Sequence, residues 1–192
     1  MNKTVLLLID LQRDFLETNG RLPVPAGDAN RVIAVANQMI EHAQKAGWTM
    51  IWIKNEFRWA QFIGNISRKF AAMKGSRGAE IDPRINCSTE FMMVVKCCAD
   101  GFSNARLETV LKDLAPERIV ALGLMTDECV QETAKGAINR GYRVEVIEDG
   151  VASMTEADHQ KGLANLRECG AALRRSEELL TIIGILPPQG VL

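Results

Sequence analysis

The chain has only two histidines, His42 and His159, among its 192 residues. That scarcity argues against a histidine-rich metal site or a histidine-based catalytic triad. The five cysteines (Cys87, Cys97, Cys98, Cys129 and Cys169) are odd in number and spaced neither as zinc ligands nor as a disulfide framework. No Gly-x-Gly-x-x-Gly follows an apolar run, which argues against a dinucleotide-binding fingerprint. Charge of one sign is also lacking: 23 Lys and Arg face 24 Asp and Glu, a formal net charge of -1. Such a balance offers no basic field to nucleic acid or an anionic membrane. The apolar run 5–9 ahead of Asp10 is too short for a signal peptide or a span, so a reducing, cytoplasmic location is expected.

What is present is the composition of a globular protein, 47% hydrophobic and 24% charged. Residues 1–192 fit one domain, with an elaborated loop at about 55–90. There is no internal repeat, low-complexity tract or linker. Short apolar runs at 4–9, 49–54, 91–95, 118–122 and 143–147 read as buried strands, with a weak sixth at 171–175. Between them lie helical patterns. Asp28 is positioned to cap a helix whose Val32, Val35, Ala36, Met39, Ile40 and Ala43 share a face, ending before Gly47. Leu107, Val110, Leu111 and Leu114 form a second stripe, stopped by Pro116. A third helix is expected from about Asp127 to Arg140, and a fourth from the capping sequence "TEAD" at 155–158 to near Gly170. Alternating strands and helices imply an α/β fold, a parallel sheet covered on both faces.

In such sheets ligands bind beyond the carboxyl ends of the strands. Asp10 follows the first strand, Lys96 follows the third, and Cys129 lies just past the fourth at a helix start. Each alone has an ordinary reading: a turn residue, a solvated charge, a packing thiol. Together they place an acid, a cation and a thiol on one edge of the sheet. Lys96 and the helix amino terminus would offset the acids beside Cys129 and let the thiol ionise. Asp127 or Thr126 would cap the helix. Asp10 would serve as general acid and base, and backbone N–H groups of Met125 and Cys129 would hold an oxyanion.

The stretches "LLLIDLQRDF" (6–15), "VVKCCADGF" (94–102) and "GLMTDECV" (123–130) resemble the signatures of the isochorismatase-like cysteine hydrolases. Weaker echoes are "GSRGAEIDP" (75–83) and "EDGVAS" (148–153). The resemblance implies a three-layer α/β/α, Rossmann-like fold with a six-stranded parallel sheet, and a triad of Asp10, Lys96 and Cys129. It also implies a non-proline cis peptide, here Leu124–Met125, and a dimer or tetramer. Asp100-Gly101-Phe102 stands where Ser-Ala-Phe is common, and Ala105 where Thr is common; altered local packing is expected. Nicotinamidases in that superfamily carry a metal motif where this chain has Asn55-Glu56-Phe57, and residues 55–90 contain no histidine. No metal and no cofactor are therefore expected. His42 reads as a surface residue and His159 as structural. Cys97 and Cys98 are adjacent, and one of them is expected in the core.

Substrate selection falls to the loop. Glu56, Arg58, Trp59 and Phe62 are its most pocket-like cluster, and Phe15 would line the pocket or the core. Arg58 would select a carboxylate or pair with Glu56; Trp59 and Phe62 would touch substrate, form a lid or meet a second subunit. The expected activity is hydrolysis of a small amide, carbamoyl or ureido C–N bond through a thioester. The alternatives are hydrolysis of an isochorismate-like vinyl ether, or non-catalytic binding of a small molecule on the same fold. The expected partners are a small-molecule substrate and further copies of the chain, with neither nucleic acid nor membrane.

Overall fold

The computed structural model describes residues 3–86 and 92–180. Cys87 and Phe91, where the third strand was expected to begin, lie outside the described residues. Six strands form one wholly parallel sheet: β1 (Thr4–Ile9), β2 (Thr49–Asn55), β3 (Met92–Lys96), β4 (Arg118–Leu124), β5 (Val144–Ala152) and β6 (Ala172–Arg174). Their order is β3-β2-β1-β4-β5-β6, so the direction of winding reverses between β1 and β4. Every residue of β1 is buried because both faces of the sheet are covered.

On one face, Leu6, Leu8, Trp52, Val120 and Leu122 pack against α2 (Ala26–Ala46). The short α1 (Arg13–Leu16) and α7 (Ser176–Leu180) join that layer. On the other face, Val5, Leu7, Ile9, Ile51 and Ile53 meet α4 (Ala105–Leu114), α5 (Gln131–Ile138) and α6 (Glu156–Glu168). The alternation of side chains along each strand thus divides the apolar residues between two cores. The short α3 (Phe62–Ser67) lies in the loop after β2.

Several helix ends differ from expectation. Asp28 does not cap α2, which begins at Ala26; its carboxylate instead pairs with Arg31 at 2.6 Å. The helix closes at Gly47 in the left-handed conformation. Asn104 caps α4 by accepting from the Arg106 N–H, and Thr155 caps α6 by accepting from that of Asp158. His42 is buried, because α2 turns it inward with its ring edge on Trp48, so the surface reading is corrected. Neither Cys97 nor Cys98 reaches the core: the chain leaves β3 at Lys96, with Cys97 half-buried and Cys98 exposed.

Gly123 lets β4 run close beside the end of β1. It has φ +130°, and a Cβ there would sit 1.9 Å from the Ile9 carbonyl oxygen. A side chain at this point would push apart the two strands at the reversal of the sheet. Among the described residues, no helix is long and apolar enough to cross a membrane.

Candidate active site

Four strand ends meet at this reversal. Asp10 follows β1 with φ 54° and donates its N–H to the Ile53 carbonyl at 2.8 Å. Lys96 ends β3 and Asn55 ends β2. After β4 the Leu124–Met125 peptide bond is cis, and a π-helical turn over Thr126–Val130 carries Cys129. Lys96 Nζ donates to Asp10 Oδ2 at 2.8 Å and to Cys129 Sγ at 3.1 Å, with a third bond to the Cys98 carbonyl at 3.1 Å. All three ammonium donors are therefore used. The acid, the cation and the thiol expected from separate strand ends stand in direct contact, all buried.

Their electrostatics differ from the expected picture of a thiol ionised by lysine. Burial and then the Asp10 charge push the Cys129 thiol up to about 12, and Lys96 only partly opposes them. Burial also raises Asp10, against the pull of Lys96. Lys96 stays cationic: burial works against its charge, but Asp10 and Cys129 outweigh it and raise its pKa. The cluster is neutral with Asp10 charged, Lys96 charged and the thiol protonated. Passing the thiol proton to Asp10 keeps it neutral, whereas losing it to solvent leaves a buried negative charge without a partner. The arrangement favours transfer within the cluster.

Thr126 and Asp127 are not helix caps, because the π-helical turn directs their side chains towards β5 and α6. Thr126 Oγ1 lies 2.9 Å from His159 Nδ1, and Asp127 Oδ1 accepts from Ser153 Oγ at 2.6 Å. Burial lowers the pKa of His159, in keeping with a structural ring. The first signature stretch also anchors the loop. Gln12 Oε1 accepts from the Asn55 N–H at 2.8 Å, while its Nε2 donates to the carbonyls of Asn55 and Ala79 at 2.8 and 2.9 Å. Asp14 Oδ2 accepts from the Ala72 N–H at 2.8 Å.

Above the cluster opens a cavity of about 470 Å³, lined by residues including Asp10, Phe15, Asn55, Phe57, Arg68, Met125, Glu128 and Cys129. Phe15 and Met125 both border this cavity while packing into the core beneath it. Glu56, Arg58, Trp59 and Phe62 do not line this cavity. Glu56 pairs with Lys54 at 2.7 Å, not with Arg58, and both Glu56 and Arg58 border a separate hollow of about 280 Å³ beside β3. Trp59 and Phe62 turn outward, 68% and 58% exposed, and lean on Phe70. Arg68, just past α3, lines the cavity instead, with its guanidinium 3.9 Å over the Phe57 ring.

Asn55 is the residue that motif reasoning passed over. Its Nδ2 donates to Asp10 Oδ2 at 2.8 Å and to Cys129 Sγ at 3.5 Å. The strand-end logic that found its neighbours, applied to β2, points to it. The stretch Asn55-Glu56-Phe57 does not fit a metal: Asn55 faces Asp10, Glu56 faces Lys54 and Phe57 has no donor atom. Among the described residues no group of three or more His, Cys, Asp or Glu is placed to hold a metal ion.

The Isochorismatase domain family matches residues 4–178. The chain belongs to the isochorismatase family. It is 28% identical over 205 residues to the nicotinamidase of Escherichia coli (strain K12), covering 90% of this chain and 95% of that protein. The N-carbamoylsarcosine amidase of Thermoplasma acidophilum superposes with a TM-score of 0.79 at 26% identity, covering 91% of this chain and 97% of that one. An isochorismatase-like hydrolase from Alkaliphilus metalliredigens shares the fold with a TM-score of 0.81 at 24% identity, over 94% and 99% of the two chains. The protein is an isochorismatase-family hydrolase.

Proposed function

We propose that the protein is a cysteine hydrolase that cleaves a small amide, carbamoyl or ureido C–N bond through a thioester. The observation that carries this reading is the contact of Lys96 Nζ with both Asp10 Oδ2 and Cys129 Sγ, at 2.8 and 3.1 Å, on the floor of a cavity. Likeness to a nicotinamidase and an N-carbamoylsarcosine amidase supports the same class of bond. In the first half-reaction Asp10 takes the thiol proton as Cys129 Sγ attacks the carbonyl carbon. N–H groups of Met125 and Cys129 serve the oxyanion, and Lys96 stabilises the charge that builds on sulfur. Asp10 then gives its proton to nitrogen as the C–N bond breaks. In the second half Asp10 takes a proton from water, which attacks the thioester, and the proton returns to sulfur.

Hydrolysis of a vinyl ether needs a proton delivered to carbon and no thiol nucleophile. The placing of Cys129 against Asp10 and Lys96 therefore favours C–N cleavage. Rapid-quench mass spectrometry on a panel of small amides, carbamoyl compounds and ureides is the test. An acyl adduct on Cys129, absent in Cys129→Ala together with turnover, is the expected result. Turnover retained by Cys129→Ala sinks the mechanism. The same reading takes the protein as a homo-oligomer, supported by the exposed Trp59, Phe62, Ile63 and Ile66 around α3. A monomer in sedimentation equilibrium counts against that part.

A further inference from the structure

Glu128 and Arg68 carry opposite charges and line the same cavity, yet no ion pair joins them. Glu128 directly precedes Cys129 and is reachable from solvent. Among the described residues its carboxylate has no hydrogen-bond or ion-pair partner. Its charge is felt by Arg68 on the wall and by Lys96 and Asp10 at the floor, so it looks into the space they share. Arg68 is held in place from three sides. Its guanidinium lies 3.9 Å over the Phe57 ring, and Nη2 donates to Asn65 Oδ1 at 3.2 Å. Gly64 leaves room for the group, since a Cβ there would come 2.8 Å from Nη2. Nη1 has no acceptor among the described residues, so a fixed, planar cation is left with a free donor edge.

The other charges at the cavity follow the same division. Asp127 and Asp158 border it beside Glu128, on the turn after β4 and on α6, which pack together. Hydroxyls already engage both: Ser153 Oγ donates to Asp127 Oδ1 at 2.6 Å, and Thr155 Oγ1 to Asp158 Oδ2 at 2.6 Å. Lys69 borders it beside Arg68, on the loop after β2. The acids thus come from one part of the fold and the cations from another.

We propose that Glu128 and Arg68 select a zwitterionic substrate, a small amide whose far end carries both an ammonium and a carboxylate. The inference rests on the amide-hydrolase reading above and names its substrate class. With the scissile carbonyl at Cys129, the ammonium pairs with Glu128 and the carboxylate takes the free edge of Arg68. A neutral amide leaves both charges without a partner in a partly desolvated space, and a singly charged one satisfies only half. The cavity of about 470 Å³ has room for a molecule of amino-acid size. Burial first and the Asp127 charge next raise the pKa of Glu128, as suits a carboxylate whose cation arrives with the substrate. Both residues act on specificity and take no part in the proton transfers.

The test uses two matched sets of primary amides that differ only in the far end. One set is glutamine, 4-carbamoylbutanoate, 4-aminobutanamide and butanamide; the other is asparagine, succinamate, 3-aminopropanamide and propanamide. Wild type should prefer the zwitterion over the neutral member by about 100-fold or more in kcat/KM. Glu128→Gln should shrink the ratio of ammonium-bearing to ammonium-free members by about tenfold, and Arg68→Gln that of carboxylate-bearing to carboxylate-free ones. A merely structural role for either residue lowers all four members alike and leaves the ratios intact, which overturns the selection. Equal hydrolysis of the four by wild type also overturns it and leaves the hydrolase reading standing. Calorimetric binding of the same sets to Cys129→Ala, with and without each substitution, separates the two ideas. A preference for the zwitterion that both substitutions weaken supports the selection even if wild type hydrolyses nothing in the panel. No preference there, or no binding, overturns it whatever the turnover.

Discussion

Lys96 Nζ donates to Cys129 Sγ at 3.1 Å, yet the thiol is held up to about 12. The lysine charge is already shared with Asp10 at 2.8 Å, and burial penalises the thiolate before either neighbour acts. A cation beside a cysteine therefore does not by itself make a resting thiolate. Lys96 instead opposes the rise that burial imposes on Asp10, and an ionised Asp10 is placed to take the proton when sulfur attacks.

This sets the expected pH profile. Burial raises the pKa of Asp10, so it protonates at a higher pH than an ordinary carboxylate. As pH falls through that raised value, the base is lost and kcat/KM falls with it. No limb is expected from the thiol or Lys96 near neutral pH, since both are shifted upward. The measured profile should rise from the acid side and stay flat through pH 9. A rise continuing from pH 7 to 9, tenfold per unit, points instead to a thiolate formed by loss of a proton to solvent.

Lys96→Met keeps the length of the side chain and removes its charge. Asp10 then has no buried counter-ion, its proton is held more tightly, and the acid limb should move to higher pH. The plateau of kcat/KM should fall by a factor of about 10² or more, the usual scale of a general-base contribution. An unmoved acid limb would show that Lys96 does not set the ionisation of Asp10.

All six strands stand within about two residues of where apolar runs placed their starts, because strands buried on both faces show as unbroken runs. Asp10, Lys96 and Cys129 were legible for a related reason: each lies at or just past such a run, on one sheet edge. The cavity wall was not. Which loop residues face inward depends on α3 and on consecutive left-handed residues, Lys69 and Phe70, whose geometry carries no periodic signal. Arg58 and Arg68 look alike in the sequence, and only the loop path puts Arg68 over Phe57 and Arg58 outside. Asp28 misled because a good capping residue sat three positions inside a helix that had already begun after Pro25.

Gly123→Ala should test how closely β1 and β4 must approach. The new methyl would meet the Ile9 carbonyl oxygen at 1.9 Å in a backbone conformation with φ +130°. Overpacking of this kind costs about 1–3 kcal/mol, and the left-handed backbone adds about 1–2 kcal/mol. A fall in Tm of roughly 5–15 °C is expected, with loss of activity, because Asp10 directly follows Ile9. A variant with the wild-type Tm would show that the strands separate freely at this point.

The last expectation concerns acid stability away from the site. His42 is buried, its ring edge lies on Trp48 with centroids 4.9 Å apart, and its Nδ1 has no hydrogen-bond partner. Burial lowers its pKa from 6.5, and the charges of Arg118 and Lys45 lower it further. The folded state therefore resists a proton that the unfolded chain accepts at about 6.5. Below that value the unfolded state binds more protons, so stability falls as pH drops and levels off once the pH is below the folded pKa. His159 is shifted in the same direction and adds to the slope. Asp10, with a raised pKa, acts against it, so wild type alone cannot isolate His42. His42→Phe keeps an aromatic ring on Trp48 and removes the titration. Urea midpoints at pH 7.5 and 5.5 should fall less for His42→Phe than for wild type. Equal falls in the two proteins would mean that protonation of His42 is not resisted by the fold, and that the ring gains a partner in solution.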